Sequence, residues 1–110
     1  MNNPITILAP IKLAKDKTEQ DLIQASNNFE KEFAGKEEGI LRRELIRISD
    51  GEYMDIVQFR SQKDAEEVIE KEQNSPACHE FFSVMDMSEA TMEEAGEIKF
   101  HSSLVTYTKS

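Results

Sequence analysis

Apolar and polar positions alternate from Ile5 to Leu13, so that Ile5, Ile7, Ala9, Ile11 and Leu13 share one face at a period of two. This is the pattern of a β-strand with one covered side. Pro10 has no N–H to give to a neighbouring strand, so a bulge or a missing neighbour is expected there. The period changes after the turn Lys15-Asp16-Lys17-Thr18. Between Glu19 and Phe33, the residues Leu22, Ser26, Phe29 and Phe33 form one helical stripe flanked by Ile23 and Ala25. Either Asp16 or Thr18 can cap this helix, with Asp21 placed three after Thr18 as a capping-box partner. Gly35 is its natural stop, and Lys36 to Gly39 reads as a short loop.

Two further strand patterns follow, Ile40 to Ser49 and Tyr53 to Phe59, joined by Asp50-Gly51. That dipeptide favours the positive φ of a tight hairpin turn. In the first strand Ile46 and Ile48 alternate with Leu45 and Arg47, and the second sets Val57 and Phe59 against Met54 and Ile56. Both sheet faces are therefore half apolar and both need cover. Helices take one side, and a second subunit is the economical cover for the other, so a homodimer is expected.

Ser61 opens the next helix as its cap, with Asp64 in the first turn. Ala65, Val68, Ile69 and Glu72 mark its inner face, and Glu67 and Lys71 form a surface pair. Asn74-Ser75-Pro76 breaks the pattern, because proline disfavours helical geometry in the residue before it yet suits the first turn of a new helix. A second, shorter helix capped by Ser75 is predicted, with Ala77 or Cys78, Phe81, Phe82 and Met85 continuing the apolar stripe. Met87 to Glu97 is acidic and reads as a surface connection holding at most one helical turn, capped by Ser88 and ended by Gly96. Ile98 to Thr108 is the last predicted strand, with Ile98, Phe100 and Leu104 on one face and His101, Val105 and Tyr107 on the other.

The order β-α-β-β-α-β, with right-handed crossovers and short connections, gives an α+β, ferredoxin-like domain. It would have a four-stranded antiparallel sheet and its helices on one face. At 110 residues the chain is one domain, 1–110. Its hydrophobic residues make up 38% and its charged residues 32%, and no apolar run approaches the ~20 residues of a membrane span. The start Met1-Asn2-Asn3-Pro4 lacks the basic and apolar parts of a signal peptide, and a lone Cys78 forms no internal disulfide; a cytoplasmic location is the expectation. The net charge of −9 comes without a clustered basic patch, which argues against nucleic acid as a partner.

Few residues can carry chemistry. His79 is compatible with a general base, an axial ligand or a helix-surface histidine bonded to nearby backbone. Cys78 stands where a helix dipole can lower a thiol pKa, or it is a small core residue beside Ala77 and Phe81. His101 and Tyr107 share a strand face and, with Tyr53 and Arg43, are candidates for polar groups in a pocket or for mutual satisfaction at an interface. Arg42, Arg43 and Arg47 can hold an anionic ligand or pair with Glu44 and Asp55. Met85, Met87, Phe81 and Phe82 suit a core or an apolar pocket wall. No zinc-like Cys/His spacing, phosphate loop or nucleophilic serine motif is present.

Several segments together carry a resemblance. They are Gly39-Ile40-Leu41, Val57-Gln58-Phe59-Arg60-Ser61, Asp64-Ala65-Glu66 and Ser75-Pro76-Ala77-Cys78-His79-Glu80-Phe81-Phe82. From Ile5 to Tyr107 the chain resembles the antibiotic biosynthesis monooxygenase family of the dimeric α+β barrel superfamily. The resemblance implies a homodimer whose sheets close into a barrel, with a pocket between helices and sheet in each subunit. It further implies a cofactor-independent monooxygenase acting on an apolar aromatic or polyketide-like small molecule. Catalytic His79 and pocket residues Tyr53, Phe59, Phe82, His101 and Tyr107 are the candidates. Phe59 stands where that family usually has Trp. The alternative of a non-catalytic ligand-binding or stress-related dimer stays open. Haem is disfavoured: His79 falls at the position of the haem-degrading branch's histidine, but Ile69 or a near neighbour, and Ala9 or Pro10, replace that branch's Trp and Asn.

Overall fold

The computed structural model describes residues 4–86, 100–105 and 107. Four strands form one antiparallel sheet: β1 (Ile5–Lys12), β2 (Ile40–Ser49), β3 (Glu52–Phe59) and β4 (Phe100–Ser102), in the order β2-β3-β1-β4. Three helices accompany them, α1 (Glu19–Glu32), α2 (Gln62–Glu72) and α3 (Pro76–Ser83), with a 3-10 turn at Ala34–Lys36. This is the predicted ferredoxin-like α+β architecture, with the second helical pattern broken in two as Ser75-Pro76 required.

Each helix starts where its side chains satisfy free amides. Thr18 rather than Asp16 caps α1: its hydroxyl accepts from the Asp21 amide while the Asp21 carboxylate accepts from the Thr18 amide. Ser61 accepts from the Asp64 amide at the start of α2, and Ser75 accepts from the Cys78 amide at the start of α3, with Pro76 in the first turn. Gly51 takes φ +76° in the β2–β3 hairpin, the conformation the Asp-Gly pair predicted. Gly39 is required for a different reason: a Cβ there would lie 2.8 Å from the Asp64 Cβ, so only glycine lets the chain into β2 pass this close to α2.

Register decides what each face holds. On the helix-covered side lie Ile5, Ile7, Ala9 and Ile11 of β1 and their partners Phe59, Val57, Asp55 and Tyr53 of β3. Two irregularities in β2, at Ile40/Arg42 and Arg47/Ser49, interrupt its alternation. The first inserts Leu41, so that Arg43, Leu45 and Arg47 rather than Arg42 and Glu44 face the helices. The second takes Ile48 out of line with Ile46, leaving Leu41 51% and Ile48 54% exposed.

The covered side holds two apolar clusters. Ile11, Leu22, Ala25, Phe29, Tyr53, Cys78 and Phe81 belong to the larger one, under α1 and α3. Ile7, Phe59, Ala65 and Val68 form the smaller one under α2. The other side carries Leu8, Pro10, Met54, Ile56 and Ile46 at its centre, and every described helix lies opposite it. Leu8 there is 44% exposed. The half-apolar second face inferred from the sequence is therefore present, and no described helix covers it.

The last strand is shorter than predicted. Phe100–Ser102 pairs with Ile7–Ile5, and Ser103 gives its amide to the Pro4 carbonyl at 2.9 Å. An antiparallel partner then runs off the start of β1, so Leu104, Val105 and Tyr107 lie outside the strand and are 92%, 63% and 84% exposed. Beyond Ile7 the same edge of β1 has no described neighbour, which suits Pro10. The acidic connection predicted over Met87 to Glu97, and Ile98, fall outside the described residues.

Candidate functional site

Arg43 is the centre of a charged cluster on the covered side of the sheet. Its side chain and that of Asp55 are each only 8% exposed. Asp55 sits on β3 one diagonal step from Arg43 on β2, and Nε of Arg43 lies 3.1 Å from both carboxylate oxygens. The remaining edge of the guanidinium turns to α1. Nη2 donates to the Ser26 hydroxyl at 2.6 Å, and Nη1 donates to Glu30 Oε1 at 3.1 Å and to the Ser26 carbonyl at 3.5 Å. The rings of Phe29 and Phe81 lie 5.0 and 5.3 Å from its central carbon, which adds cation–π attraction in a place water does not reach.

Two further side chains complete the cluster. Glu72, from the inner face of α2, has its pKa pushed up to about 7, chiefly by burial and then by the charge of Asp55, against the pull of Arg43. Burial also raises the pKa of Asp55 despite its ion pair. The Cys78 thiol bonds to Glu72 and is itself driven up to about 12 by burial and by that carboxylate. Of the two readings of Cys78, the small core residue holds: it is fully buried, and desolvation and the adjacent negative charge outweigh the helix dipole.

An open cleft of about 320 Å³ adjoins the cluster between α1 and β2. It is lined by Ile23, Ser26, Asn27 and Glu30 from the helix and by Arg43, Glu44 and Leu45 from the strand. Arg43 is therefore both nine-tenths buried and a wall of the cleft, with Asp55 holding its Nε side. Of the arginines of β2, Arg43 pairs across strands with Asp55 as anticipated, whereas Arg42 pairs with Glu44 on its own strand at 2.6 Å and Arg47 pairs with Glu19 of α1.

The candidates named from the sequence do not gather at one place. His79 is exposed on α3, with Nε2 2.8 Å from the Gln73 carbonyl. Tyr53 is buried and donates its hydroxyl to Glu19 at 3.0 Å, and Glu19 also takes two 2.6 Å bonds from Arg47. Burial first, and the Glu19 carboxylate next, raise the Tyr53 pKa. Phe59 is buried in the α2 cluster, whereas Phe82 is 41% exposed and stacks on Phe81 with ring centres 6.4 Å apart. His101 pairs with Thr6 on the uncovered face, and Tyr107 is exposed beyond β4. Among the described residues no group of three or more His, Cys, Asp or Glu side chains is placed to hold a metal ion, and no helix is long and apolar enough to cross a membrane. The residues that do converge, Ser26, Arg43, Asp55 and Glu72, share one readable signal: each is polar at a position whose period faces the core.

The fold defines a class. A four-stranded antiparallel sheet with its helices on one side, arranged in this order, is the ferredoxin-like architecture of antibiotic biosynthesis monooxygenase structures. A mutant form of SnoaB, a cofactor-independent oxygenase from Streptomyces nogalater, superimposes with a TM-score of 0.70 at 12% identity, over 97% of this chain and 99% of that one. A candidate antibiotic biosynthesis monooxygenase from Caulobacter crescentus gives 0.65 at 15% identity, over 94% and 92%. A second candidate, from Nitrosomonas europaea, gives 0.62 at 15%, over 94% and 93%. At these identities the likeness is one of fold. No protein-family model matches the chain, and no curated protein matches its sequence.

Proposed function

We propose that the protein is a small oxygenase of the antibiotic biosynthesis monooxygenase type, working as a homodimer without a cofactor on an apolar aromatic or polyketide-like molecule. The observation that carries this reading is the cleft between α1 and β2 with a buried, permanently charged arginine in its wall and titratable carboxylates beside it. A polycyclic phenol whose keto form carries a ring CH₂ is the kind of molecule such a site activates. Loss of its hydroxyl proton leaves an anion beside Arg43 in the cleft wall; Glu72, its pKa pushed up to about 7, does not line the cleft and reaches that proton only by relay through the buried cluster. The electron-rich anion then reacts with O₂. One oxygen atom ends as the new carbonyl and the other leaves as water, carrying the hydroxyl proton returned from the cluster and the one hydrogen of the ring carbon attacked, so no external reductant is needed. The uncovered sheet face supports the homodimer, because Leu8, Ile46, Met54 and Ile56 gain nothing from solvent and match a second copy of themselves.

Oxygen uptake with such a phenol in buffer containing EDTA tests the reading. One O₂ consumed per phenol, with a product heavier by one oxygen and lighter by two hydrogens, is the expected outcome; a rate no faster than the uncatalysed one rejects it. One observation favours the second reading, a non-catalytic ligand-binding dimer. His79 is engaged by a backbone carbonyl, the Cys78 thiol is protonated, and no buried side-chain polar atom among the described residues lacks a hydrogen-bond partner. Binding of the phenol without oxygen uptake would identify that case.

A further inference from the structure

We infer that Arg43 is an anion-receiving residue of the cleft, that Glu30 occupies its place in the unliganded protein, and that the ligand is an apolar ring system bearing one acidic group, a carboxylate or a phenolate. This deepens the oxygenase reading and rests on it for the identity of the cleft as the functional one.

The guanidinium of Arg43 has little freedom left. Phe29 and Phe81 lie against it, Asp55 holds Nε, and Ser26 takes Nη2. Its one contact with a mobile, solvated group is the bond from Nη1 to Glu30, whose side chain is 50% exposed. Water competes for the half-exposed Glu30 carboxylate, whereas the Arg43 side chain is only 8% exposed, so Glu30 is the partner that solvent can draw away. The same Nη1 group, on a scaffold already fixed and desolvated, binds an incoming anion without further ordering cost. Swinging Glu30 out and admitting a carboxylate or phenolate keeps the charge count around Arg43 unchanged, so Asp55 and Glu72 are not newly repelled.

The cleft walls set the rest of the ligand. Ile23, 38% exposed, and Leu45 offer apolar surface on either side, while Asn27 supplies one amide for a second polar substituent. Glu44 at the rim is neutralised by Arg42. A flat aromatic body with a single acidic group fits these features; a polyanion, meeting the acidic exterior, does not.

Binding of 2-naphthoate and of its uncharged counterpart 2-naphthamide, measured by calorimetry on the full chain, tests the assignment without requiring turnover. Naphthoate is expected to bind about tenfold more tightly than the amide. Glu30→Gln removes the resident carboxylate from an exposed helix position and should tighten naphthoate binding about fivefold, with no change for the amide. Glu66→Gln, an exposed charge change on α2, should leave both affinities unchanged. Equal affinity for acid and amide, an unchanged or weaker naphthoate affinity in Glu30→Gln, or equal tightening in Glu66→Gln would overturn the assignment. These results are independent of oxygen uptake: the expected binding pattern with no oxygenase activity would reject the catalytic reading and leave the anion site standing.

Discussion

Each face of the sheet departs from the usual division of polarity at its centre. The face beneath the helices, where apolar side chains are expected, holds Arg43 and Asp55, each 8% exposed. The face without helices, where polar side chains would satisfy water, presents Leu8, Ile46, Met54 and Ile56. A buried ion pair is weak evidence for stability, since desolvation of two charges offsets their attraction. An uncovered aliphatic face is likewise costly to a monomer. Both departures make sense if the covered face serves chemistry and the uncovered face serves association.

The largest effect should come from splitting the buried pair. Arg43→Ala leaves Asp55 uncompensated in the interior and is expected to cost about 3–5 kcal/mol, read as a fall in the urea midpoint. Replacing both partners together, with Arg43→Met and Asp55→Leu, should restore most of that stability while abolishing naphthoate binding. A double variant as unstable as the single one would show that the pair is structural.

Glu72 gives the next effect, and its sign is opposite to that of an ordinary paired carboxylate. Its folded pKa, about 7, lies above the ordinary value of 4.5, so the native state holds the proton more tightly than the unfolded chain. Stability is therefore greatest below about pH 4.5 as far as this group is concerned, and declines as pH rises towards 7, by about 3 kcal/mol in all. Asp55, also raised, acts in the same direction. Thermal melts of Glu72→Gln between pH 5 and 8 should show a flatter profile than the parent protein; parallel profiles would remove Glu72 as the cause.

On the uncovered face the effect is on assembly. Light scattering should give about twice 12.6 kDa for the parent protein. Leu8→Lys places a charge at the centre of that face and should yield monomers with an unchanged far-UV spectrum. A dimer that survives this change would put the interface elsewhere. At the rim, Arg47→Gln breaks an exposed pair with Glu19 and should shift the urea midpoint least of the four changes.

How much of this was legible beforehand follows from the range of the forces involved. Strands, helices, caps and the Asp50-Gly51 turn arise from neighbours within four residues, and Thr18, Ser61 and Ser75 all act where the local pattern put them. The site was less legible because it depends on one inserted residue. Strict alternation from Ile40 would have turned Arg42 and Glu44 to the helices; the irregularity at Leu41 turns Arg43 inward instead, beside Asp55. Asp55 was one of the partners open to the arginines of β2, but the irregular register selects Arg43, and its meeting with Ser26, Glu30 and Glu72 joins α1, α2 and two strands, which no local rule places together. His79 and Cys78 stand out in the sequence because they are rare residue types. Burial, which decides whether a group is activated or silenced, does not. The last strand was overextended for a similar reason, since alternation continues to Tyr107 while the hydrogen-bonding partner ends at Ile5.

The most direct measurement is the pH profile of oxygen uptake by the EDTA-treated protein with a polycyclic phenol, compared between the parent protein and Glu72→Gln. If the cluster behind Arg43 accepts the substrate proton, the parent rate rises through about pH 7 and the variant loses that rise while still binding the phenol. Identical profiles in the two proteins, or no uptake above the uncatalysed rate in either, would contradict a catalytic role for this cluster.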